Sequence, residues 1–324
     1  MMKRMYQVKK VARSEFVPIR NLDYHVWIWG EPAPGRIPMV MVHGWMDVAA
    51  SYQFMVDAFA HGHYVIAPDW RGYGLTGLSG TAAHNGAAAA GPGGRSWLGT
   101  DSYWFPDYLA DLDALVDRYS PDAPVHLVGH SMGGNVAMLY AGVRPQRIRR
   151  LVNLEGFGMP ASRPGQAPKR FARWMDELKA FHRGEMALKT YESEAAVAAR
   201  LMKTNKRLSQ AKADWLAGHW AKPDAQGRWR ILGDPAHKVI SPQLSRVDEV
   251  LEIYKSITAP TLFVQASEDS LTQWWHGKYT LAEFHERLQA VPDLRTATLQ
   301  DAGHMLHHDQ PEQLATLVEA FLEA

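Results

Sequence analysis

The chain contains 324 residues, of which 46% are hydrophobic and 21% are charged. This length and composition are typical of a folded α/β domain of about 200–250 residues that carries an insertion. Because 35 Lys and Arg residues nearly balance 34 Asp and Glu residues, there is no long-range field to attract nucleic acid or an anionic membrane, and we expect neither as a partner. The absence of cysteine excludes disulfides, thiolate metal sites and a cysteine nucleophile.

The N-terminal segment also gives evidence about the cellular compartment of the protein. Residues 1–17 include polar or charged side chains throughout and lack the apolar stretch of a signal peptide. No other window approaches the ~18 apolar residues of a membrane-spanning helix. Together with the lack of cysteine, this favours a soluble, cytoplasmic protein. Nothing in the sequence indicates an oligomeric state.

The predicted elements begin with a hairpin and continue as a parallel series. Residues 22–30 alternate polar and apolar positions, which predicts a half-exposed antiparallel strand that forms an edge hairpin with residues 16–19. Short apolar runs then predict strands buried on both faces, and the helical stretch 108–119 separates two of them. These runs lie at residues 38–44, 64–69, 124–129, 151–154 and 260–265. A strand at 296–299 and an amphipathic helix at 311–322 complete the predicted fold.

The stretch from residue 155 to 258 differs from the rest because it has helical stripes but no strand-like runs. One stripe comprises Phe171, Trp174, Leu178 and Phe181, and the other comprises Val247, Val250, Leu251 and Tyr254. We interpret residues 156–255 as a helical cap inserted into an α/β core formed by residues 1–155 and 256–324. Residues 77–99 are rich in Gly and Ala and are interpreted as a mobile surface loop.

The segment Gly129-His-Ser-Met-Gly133 fits the pattern G-x-S-x-G between a buried strand and a predicted helix. A serine on such a sharp turn projects its hydroxyl from the sheet, and flanking glycines remove Cβ atoms that would collide there. Ser131 is therefore the predicted nucleophile. A serine hydroxyl needs a base within hydrogen-bond reach at neutral pH, and histidine is the natural candidate.

Three histidines compete for the role of base. His304 follows the predicted strand 296–299 and precedes the last helix, so it lies in a loop at the carboxyl ends of the strands. His307 and His308 lie closer to that helix, and we prefer His304 on placement.

The base in turn needs a carboxylate to hold its tautomer. Asp269 follows the strand 260–265 and stands between Ser131 and His304 in chain order, which is the order of the hydrolases. Glu155 ends the preceding strand and is also possible. Asp269 is preferred, and Glu155 is the alternative.

A tetrahedral intermediate would place negative charge on an oxygen that backbone N–H groups must meet. Met132, which follows the nucleophile, is one expected donor. Trp45, in the turn after the strand 38–44, is the other, because Gly44 lets the backbone bend there.

Five segments in this order resemble the α/β-hydrolase superfamily over nearly the whole chain. They are His43-Gly-Trp-Met-Asp47, Asp69-Trp-Arg-Gly-Tyr-Gly74, Gly129-His-Ser-Met-Gly-Gly134, Ala259-Pro-Thr-Leu262 with Asp269, and Gly303-His304. Within the superfamily, the His-Gly-Trp-x-Asp turn resembles the serine hydrolase-like, or kraken-type, group. The resemblance implies an eight-stranded, mostly parallel sheet flanked by helices, a helical cap after the sixth strand, and a Ser131–Asp269–His304 triad.

Several reactions are compatible with this set of residues. Relatives that open epoxides or remove halides use an aspartate nucleophile and are set aside because Ser131 takes that place. We expect a serine hydrolase that cleaves a carboxylic ester of a small, apolar substrate through an acyl-enzyme. The alternatives are a carbon–carbon bond hydrolase, a lactonase, a cofactor-free haloperoxidase and a ligand-binding receptor without turnover. Neither an H-E-x-x-H motif nor a dinucleotide fingerprint in the required context occurs, so we expect no metal or organic cofactor.

Overall fold

A computed structural model describes residues 5–78 and 98–324 of the chain. In chain order, its strands are β1 (Arg13–Ile19), β2 (Leu22–Trp29), β3 (Met39–Val42), β4 (Val65–Pro68), β5 (Gly77–Leu78), β6 (Val125–His130), β7 (Ile148–Leu154), β8 (Thr190–Tyr191), β9 (Ala221–Pro223), β10 (Trp229–Ile231), β11 (Thr261–Ala266) and β12 (Leu294–Leu299). Its α-helices are α1 (Gln53–Ala58), α2 (Phe105–Tyr119), α3 (Met132–Val143), α4 (Ala167–His182), α5 (Glu194–Thr204), α6 (Gln210–Trp220), α7 (Val247–Lys255), α8 (Ser270–Trp275), α9 (Leu281–Leu288), α10 (Leu306–Asp309) and α11 (Pro311–Glu323).

The main sheet has the strand order β1-β2-β4-β3-β6-β7-β11-β12, and the short β5 pairs with β2. The strands from β4 to β12 in this order are parallel, whereas β2 is antiparallel to both β1 and β4. The expected mostly parallel eight-stranded sheet flanked by helices is thus confirmed. Because parallel strands all end at the same edge, the residues that follow β3, β6, β7, β11 and β12 share one rim of the molecule.

The sheet is covered on both faces, as continuous apolar strands require. Side chains alternate along β3, where Val40 and Val42 join one core and Met39 and Met41 join the other. Helices α2, α3 and α9 pack on the first face, and α1 and α11 pack on the second. The apolar stripe predicted for the last helix is therefore buried against the sheet.

One prediction about the first hairpin is wrong. Strand β2 forms the expected antiparallel hairpin with β1 at the sheet edge, but it is almost wholly buried between β1 and β4 and is not half-exposed. The edge position belongs to β1, whose side chains are largely exposed. The alternation of β2 is misleading because several of its polar side chains are themselves paired inside, as His25 is with Asp69 at 2.7 Å.

The insertion after β7 is mainly helical but also contains a three-stranded antiparallel sheet, β8-β10-β9, that the sequence analysis did not predict. These strands have only two or three residues each, too few to show an alternating pattern. Helices α5 and α6 enclose a separate apolar cluster that also takes in Phe54 of α1. Helix α7 packs closely on α3. A Cβ atom added at Gly142 of α3 would lie only 2.1 Å from the Ile253 carbonyl oxygen of α7. The division into core and cap remains a prediction.

Two further expectations concern single segments. Most of the Gly- and Ala-rich stretch 77–99 lies outside the described residues. No helix within residues 5–78 and 98–324 is long and apolar enough to cross a membrane.

A buried ion pair ties helix α2 to the sheet. Asp111 is fully buried and accepts hydrogen bonds from Arg71 at 2.5 and 2.7 Å and from the hydroxyl of Tyr24. Replacing Asp111 by alanine would leave the largely buried Arg71 guanidinium with only the Asp107 carboxylate, 3.7 Å away, and would leave the buried Tyr24 hydroxyl without its acceptor.

We therefore expect Asp111→Ala to lower the free energy of unfolding by about 3–5 kcal/mol. The matched control is Asp117→Ala on the same helix, because that side chain is 66% exposed and pairs with Arg147 at the surface. Its expected loss is below about 1 kcal/mol. Urea unfolding followed by tryptophan fluorescence measures both, and equal losses would contradict the assignment.

Candidate active site

Ser131 occupies a strained turn between β6 and α3. Its backbone has φ 54° and ψ −117°, a left-handed conformation that costs a non-glycine residue of order 1–3 kcal/mol. Backbone hydrogen bonds hold it on both sides, since Ser131 N donates to the Leu154 carbonyl at 2.8 Å and Asn135 N donates to the Ser131 carbonyl at 3.0 Å. The hydrogen bonds to the sheet and to the helix together hold Ser131 in the strained conformation.

The flanking glycines are required by close backbone contacts. A Cβ atom added at Gly129 would lie 2.4 Å from the Gly133 carbonyl oxygen, and one at Gly133 would lie 2.1 Å from the Val42 carbonyl oxygen. Both distances are shorter than any van der Waals contact allows. The spacing of the motif is therefore a packing requirement of the turn that carries Ser131.

The turn after β3 lies directly against the nucleophile. A Cβ atom added at Gly44 would be 3.1 Å from Ser131 Cβ, and Met46 in the same turn has a left-handed φ of 55°. The buried His43 fixes this turn, because its Nε2 accepts from Trp70 N and its carbonyl accepts from Trp70 Nε1, both at 2.9 Å.

The two expected oxyanion donors are thus neighbours of Ser131 in the fold. Trp45 follows Gly44 in the turn, and Met132 is the first residue of α3. The N–H groups in the first turn of a helix have no partner within that helix. Their role as oxyanion donors remains a prediction.

The structure brings His304 to Glu155, the acid that the sequence analysis ranked second. His304 Nδ1 lies 3.3 Å from Glu155 Oε2. Since a carboxylate can only accept, this contact assigns the ring proton to Nδ1. The other ring nitrogen, Nε2, has no hydrogen bond to any described residue and is available to accept a proton.

The Glu155 carboxylate is held in place from two elements. Its Oε1 accepts from Ala266 N at the end of β11 at 2.7 Å, and its Oε2 accepts from the Ser270 hydroxyl at 2.8 Å. Glu155 is buried and has a left-handed φ of 56°, which turns it out of the line of β7. Nothing in the sequence pattern marked Ser270 as a partner of this acid.

Asp269 has a different environment from the one expected. Its Oδ1 accepts from Thr272 N at 2.8 Å and caps the N-terminus of α8. Aspartate is a favoured N-cap residue, so an Asp immediately before a short helix was a signal for this role. The contacts favour Glu155 over Asp269, which reverses the preference drawn from the sequence.

The competing histidines are separated by their surroundings. His307 and His308 are buried in α10, whereas the side chain of His304 remains 19% exposed and lies beside the rim. Residue His130 was not among the predicted site residues, yet its Nε2 donates to the His304 carbonyl at 2.8 Å and links the serine turn to the histidine loop.

Burial sets the charge state of the pair. Burial raises the pKa of the Glu155 carboxyl to about 7, and the nearby Asp269 charge acts in the same direction, while the hydrogen bonds from Ala266 and Ser270 oppose it. Burial lowers the pKa of His304 to about 3. The imidazole is therefore neutral at physiological pH, the form a general base requires.

Tryptophan side chains form part of the surroundings. The Trp274 ring meets the His304 ring edge-on at a centroid distance of 4.2 Å and is 49% exposed, and Trp45 is 53% exposed. Two other tryptophans, Trp174 and Trp275, pack against apolar clusters. Large apolar surface is thus exposed beside the candidate base.

The described residues also include a buried group with the donor types of a divalent-metal site. Asp47, His130 and His307 are all buried, and one ligand atom from each lies within 4.8 Å of the others.

A family-level sequence model for the alpha/beta hydrolase fold matches residues 37–311. The serine hydrolase-like protein of Danio rerio is 24% identical over 323 residues, which cover 96% of this chain and 89% of that protein. The cis-3-alkyl-4-alkyloxetan-2-one decarboxylase of Shewanella oneidensis is 23% identical over 295 residues, covering 88% and 81%. The thioesterase domain from the curacin biosynthetic pathway superposes with a TM-score of 0.74 at 23% identity, over 95% of this chain and 99% of that one. The resemblance to the superfamily and its serine hydrolase-like group is thereby confirmed.

Glu155→Gln should change the pH dependence of stability. A carboxyl whose pKa is about 7 in the folded state and 4.5 ordinarily stabilises the fold below pH 4.5, and this contribution is lost as the pH rises to about 7. The shift corresponds to about 3 kcal/mol, at about 1.4 kcal/mol for each pKa unit.

We expect the glutamine variant to gain about 3 kcal/mol of stability relative to the wild type between pH 4.5 and 7.5. Glutamine retains the acceptor for Ala266 N. Titration of His304 occurs in both proteins, so comparing them isolates Glu155. Urea unfolding at a series of pH values measures the difference, and a difference independent of pH would contradict the raised pKa.

Proposed function

The chain belongs to the α/β hydrolase fold family, and within this family we propose that it is a serine hydrolase. Its proposed reaction is the cleavage of a carboxylic ester of a small, apolar substrate through an acyl-enzyme. The observation that carries the proposal is the His304–Glu155 pair, with an N···O distance of 3.3 Å, at the rim where Ser131 stands on its strained turn. The cytoplasmic location remains a prediction.

In the first half of the proposed reaction, Ser131 Oγ attacks the acyl carbon of the ester while His304 Nε2 takes the hydroxyl proton. The imidazolium that forms carries its second proton on Nδ1, facing Glu155 Oε2. The Glu155 carboxylate stabilises this cation, which burial alone would disfavour. The carbonyl oxygen becomes an oxyanion facing the N–H groups of Trp45 and Met132.

The intermediate then collapses, the bond to the alcohol oxygen breaks, and His304 returns its proton to that oxygen. In the second half, His304 takes a proton from water as the hydroxyl attacks the acyl carbon. The second intermediate collapses, the bond between the acyl carbon and Ser131 Oγ breaks, and His304 gives its proton to Oγ, which restores the hydroxyl and releases the carboxylic acid. No group outside the chain and water is needed for these steps.

The preference for an apolar substrate rests on the aromatic surface at the site. Trp274 stands edge-on to His304, so a group bound at the base would also contact this indole. Burying such surface contributes roughly 25 cal/mol per Å² to binding. An apolar acyl or alcohol part fits these surroundings better than a charged one.

A fluorophosphonate probe tests the nucleophile. We expect one equivalent to label the wild type, because the activated hydroxyl attacks phosphorus, fluoride leaves and the serine becomes phosphonylated. Ser131→Ala should not be labelled, and intact-mass measurement reads both results. Circular dichroism provides the control that the variant is folded. Folded wild type that stays unlabelled would favour a binding protein without turnover, and labelling retained in Ser131→Ala would place the nucleophile elsewhere.

A matched pair of variants tests the acid. We expect Glu155→Gln to lower kcat by about 10³–10⁴-fold, because the imidazolium loses its counter-charge and the tautomer is no longer fixed. Asp269→Asn should keep kcat within about threefold, since asparagine caps a helix as well as aspartate does. Hydrolysis of p-nitrophenyl esters of increasing acyl length provides the measurement and ranks apolar substrates. The reverse order of the two variants would return the acid to Asp269.

A further inference from the structure

Asp47, His130 and His307 form a buried polar cluster beneath the candidate active site. The three residues are 4%, 2% and 0% exposed, and one ligand atom from each lies within 4.8 Å of the others. They come from the turn after β3, from the position before Ser131 and from helix α10. The cluster therefore joins the three segments that carry Trp45, Ser131 and His304.

The carboxylate of Asp47 is oriented by donors that all bind one of its oxygens. Its Oδ1 accepts from Val48 N at 2.9 Å, from Trp220 Nε1 at 3.1 Å and from the Ser51 hydroxyl. Its Oδ2 is buried and has no hydrogen-bond partner among the described residues. One side of the carboxylate is thus saturated while the other remains a buried acceptor.

The tautomer of His130 is fixed by its contact with the histidine loop. Its Nε2 lies 2.8 Å from the His304 carbonyl oxygen, and because a carbonyl only accepts, the ring proton is on Nε2. His130 Nδ1 therefore carries a lone pair, and it is buried without a partner in the described part of the chain. A histidine that donates one ring N–H to a carbonyl and presents the other nitrogen is the usual arrangement at metal sites.

His307 contributes a third set of unpaired atoms. Both of its ring nitrogens are buried without a hydrogen bond to any described residue, and its ring lies 4.4 Å from that of His130 between centroids. Whichever nitrogen holds the proton, the other has a lone pair to offer. The cluster thus gathers one carboxylate oxygen and two imidazole lone pairs in a buried space.

Acceptors that face each other in a buried space need a donor or a cation between them. We propose that Asp47 Oδ2, His130 Nδ1 and one ring nitrogen of His307 bind a divalent transition-metal ion, with Zn²⁺ preferred. Two imidazoles and one carboxylate are a donor set that suits Zn²⁺, whereas Mg²⁺ and Ca²⁺ require mainly oxygen ligands. A water molecule that bridges the acceptors is the competing occupant.

A metal ion bound at this cluster would also affect the segments that form the candidate active site. The His130 ring lies 4.8 Å from that of His304 between centroids, so a bound ion would lie close to the candidate base. The same ion would crosslink the turn after β3, the serine turn and α10. Metal binding is therefore expected to raise thermal stability.

The test is a titration of the full chain, freed of metal with a chelator and dialysed, with Zn²⁺ alone. We expect one equivalent to bind, read by calorimetry and competition with a chromogenic chelator, and the melting temperature to rise. Co²⁺ in place of Zn²⁺ should give visible absorption bands of a site with nitrogen and oxygen ligands and low coordination number. These readouts report binding directly and do not depend on the proposed reaction.

Two variants remove ligands while preserving packing. Asp47→Asn keeps an oxygen for the three donors and puts an amide nitrogen in place of Oδ2, and His307→Phe keeps a buried ring. Each should weaken Zn²⁺ binding at least tenfold, since disturbing the groups that merely orient metal ligands already costs about 10–100-fold. Using both variants guards against the failure of either one to fold.

The matched control addresses the other group of possible ligands, the surface cluster His61, His63 and Glu319. His61 is 62% exposed in its side chain, and His61→Gln should leave one-equivalent binding at wild-type strength. Absence of Zn²⁺ binding to the wild type would overturn the proposal in favour of a hydrated polar cluster. Binding lost in His61→Gln but kept in Asp47→Asn and His307→Phe would also overturn it.

Discussion

The left-handed backbone of Ser131 is the constraint on which the rest of the site depends. It is maintained because β6, β7 and α3 meet at this turn and because Gly129 and Gly133 let backbones approach where a Cβ atom would collide. The turn after β3 packs against the same residue through Gly44. Any relaxation of Ser131 to an ordinary conformation would move the helix, the strand end and the neighbouring turn together.

The His304–Glu155 pair forms because the strands that precede these two residues end at the same rim. Burial disfavours the charged form of each partner, raising the pKa of Glu155 and lowering that of His304. At neutral pH the imidazole is uncharged and the carboxyl, with a pKa of about 7, is partly ionised, so a positive charge on His304 is favoured only when Glu155 carries the opposite charge. This arrangement lowers the stability of the fold, because a buried carboxyl costs free energy at the pH where it ionises, which is also the form that the proposed reaction requires.

The sequence was sufficient for the features that depend on local pattern. The apolar runs predicted β3, β4, β6, β7 and β11, and the glycine spacing placed Ser131 on a strand-to-helix turn. The sequence was insufficient where contacts between residues far apart in the chain determine the structure. Glu155 and Asp269 both follow buried strands, and which of them reaches His304 depends on the helix that Asp269 caps. The alternation in β2 misled for the same reason, since burial by distant segments leaves no local pattern. The strands of the insertion were missed because they are too short to show a pattern.

The hydrogen bond from Trp220 to Asp47 has a consequence for how such proteins can be recombined. Trp220 is the last residue of α6 in the insertion, and its indole N–H is one of three donors to Asp47 Oδ1. Asp47 belongs to the same turn as Trp45, so the insertion and the rim of the candidate active site are not independent modules. A chimera that exchanged residues 156–255 for those of another family member would remove this donor and loosen the turn. Grafting experiments that seek a new substrate range therefore need to carry an indole at position 220 with the foreign segment.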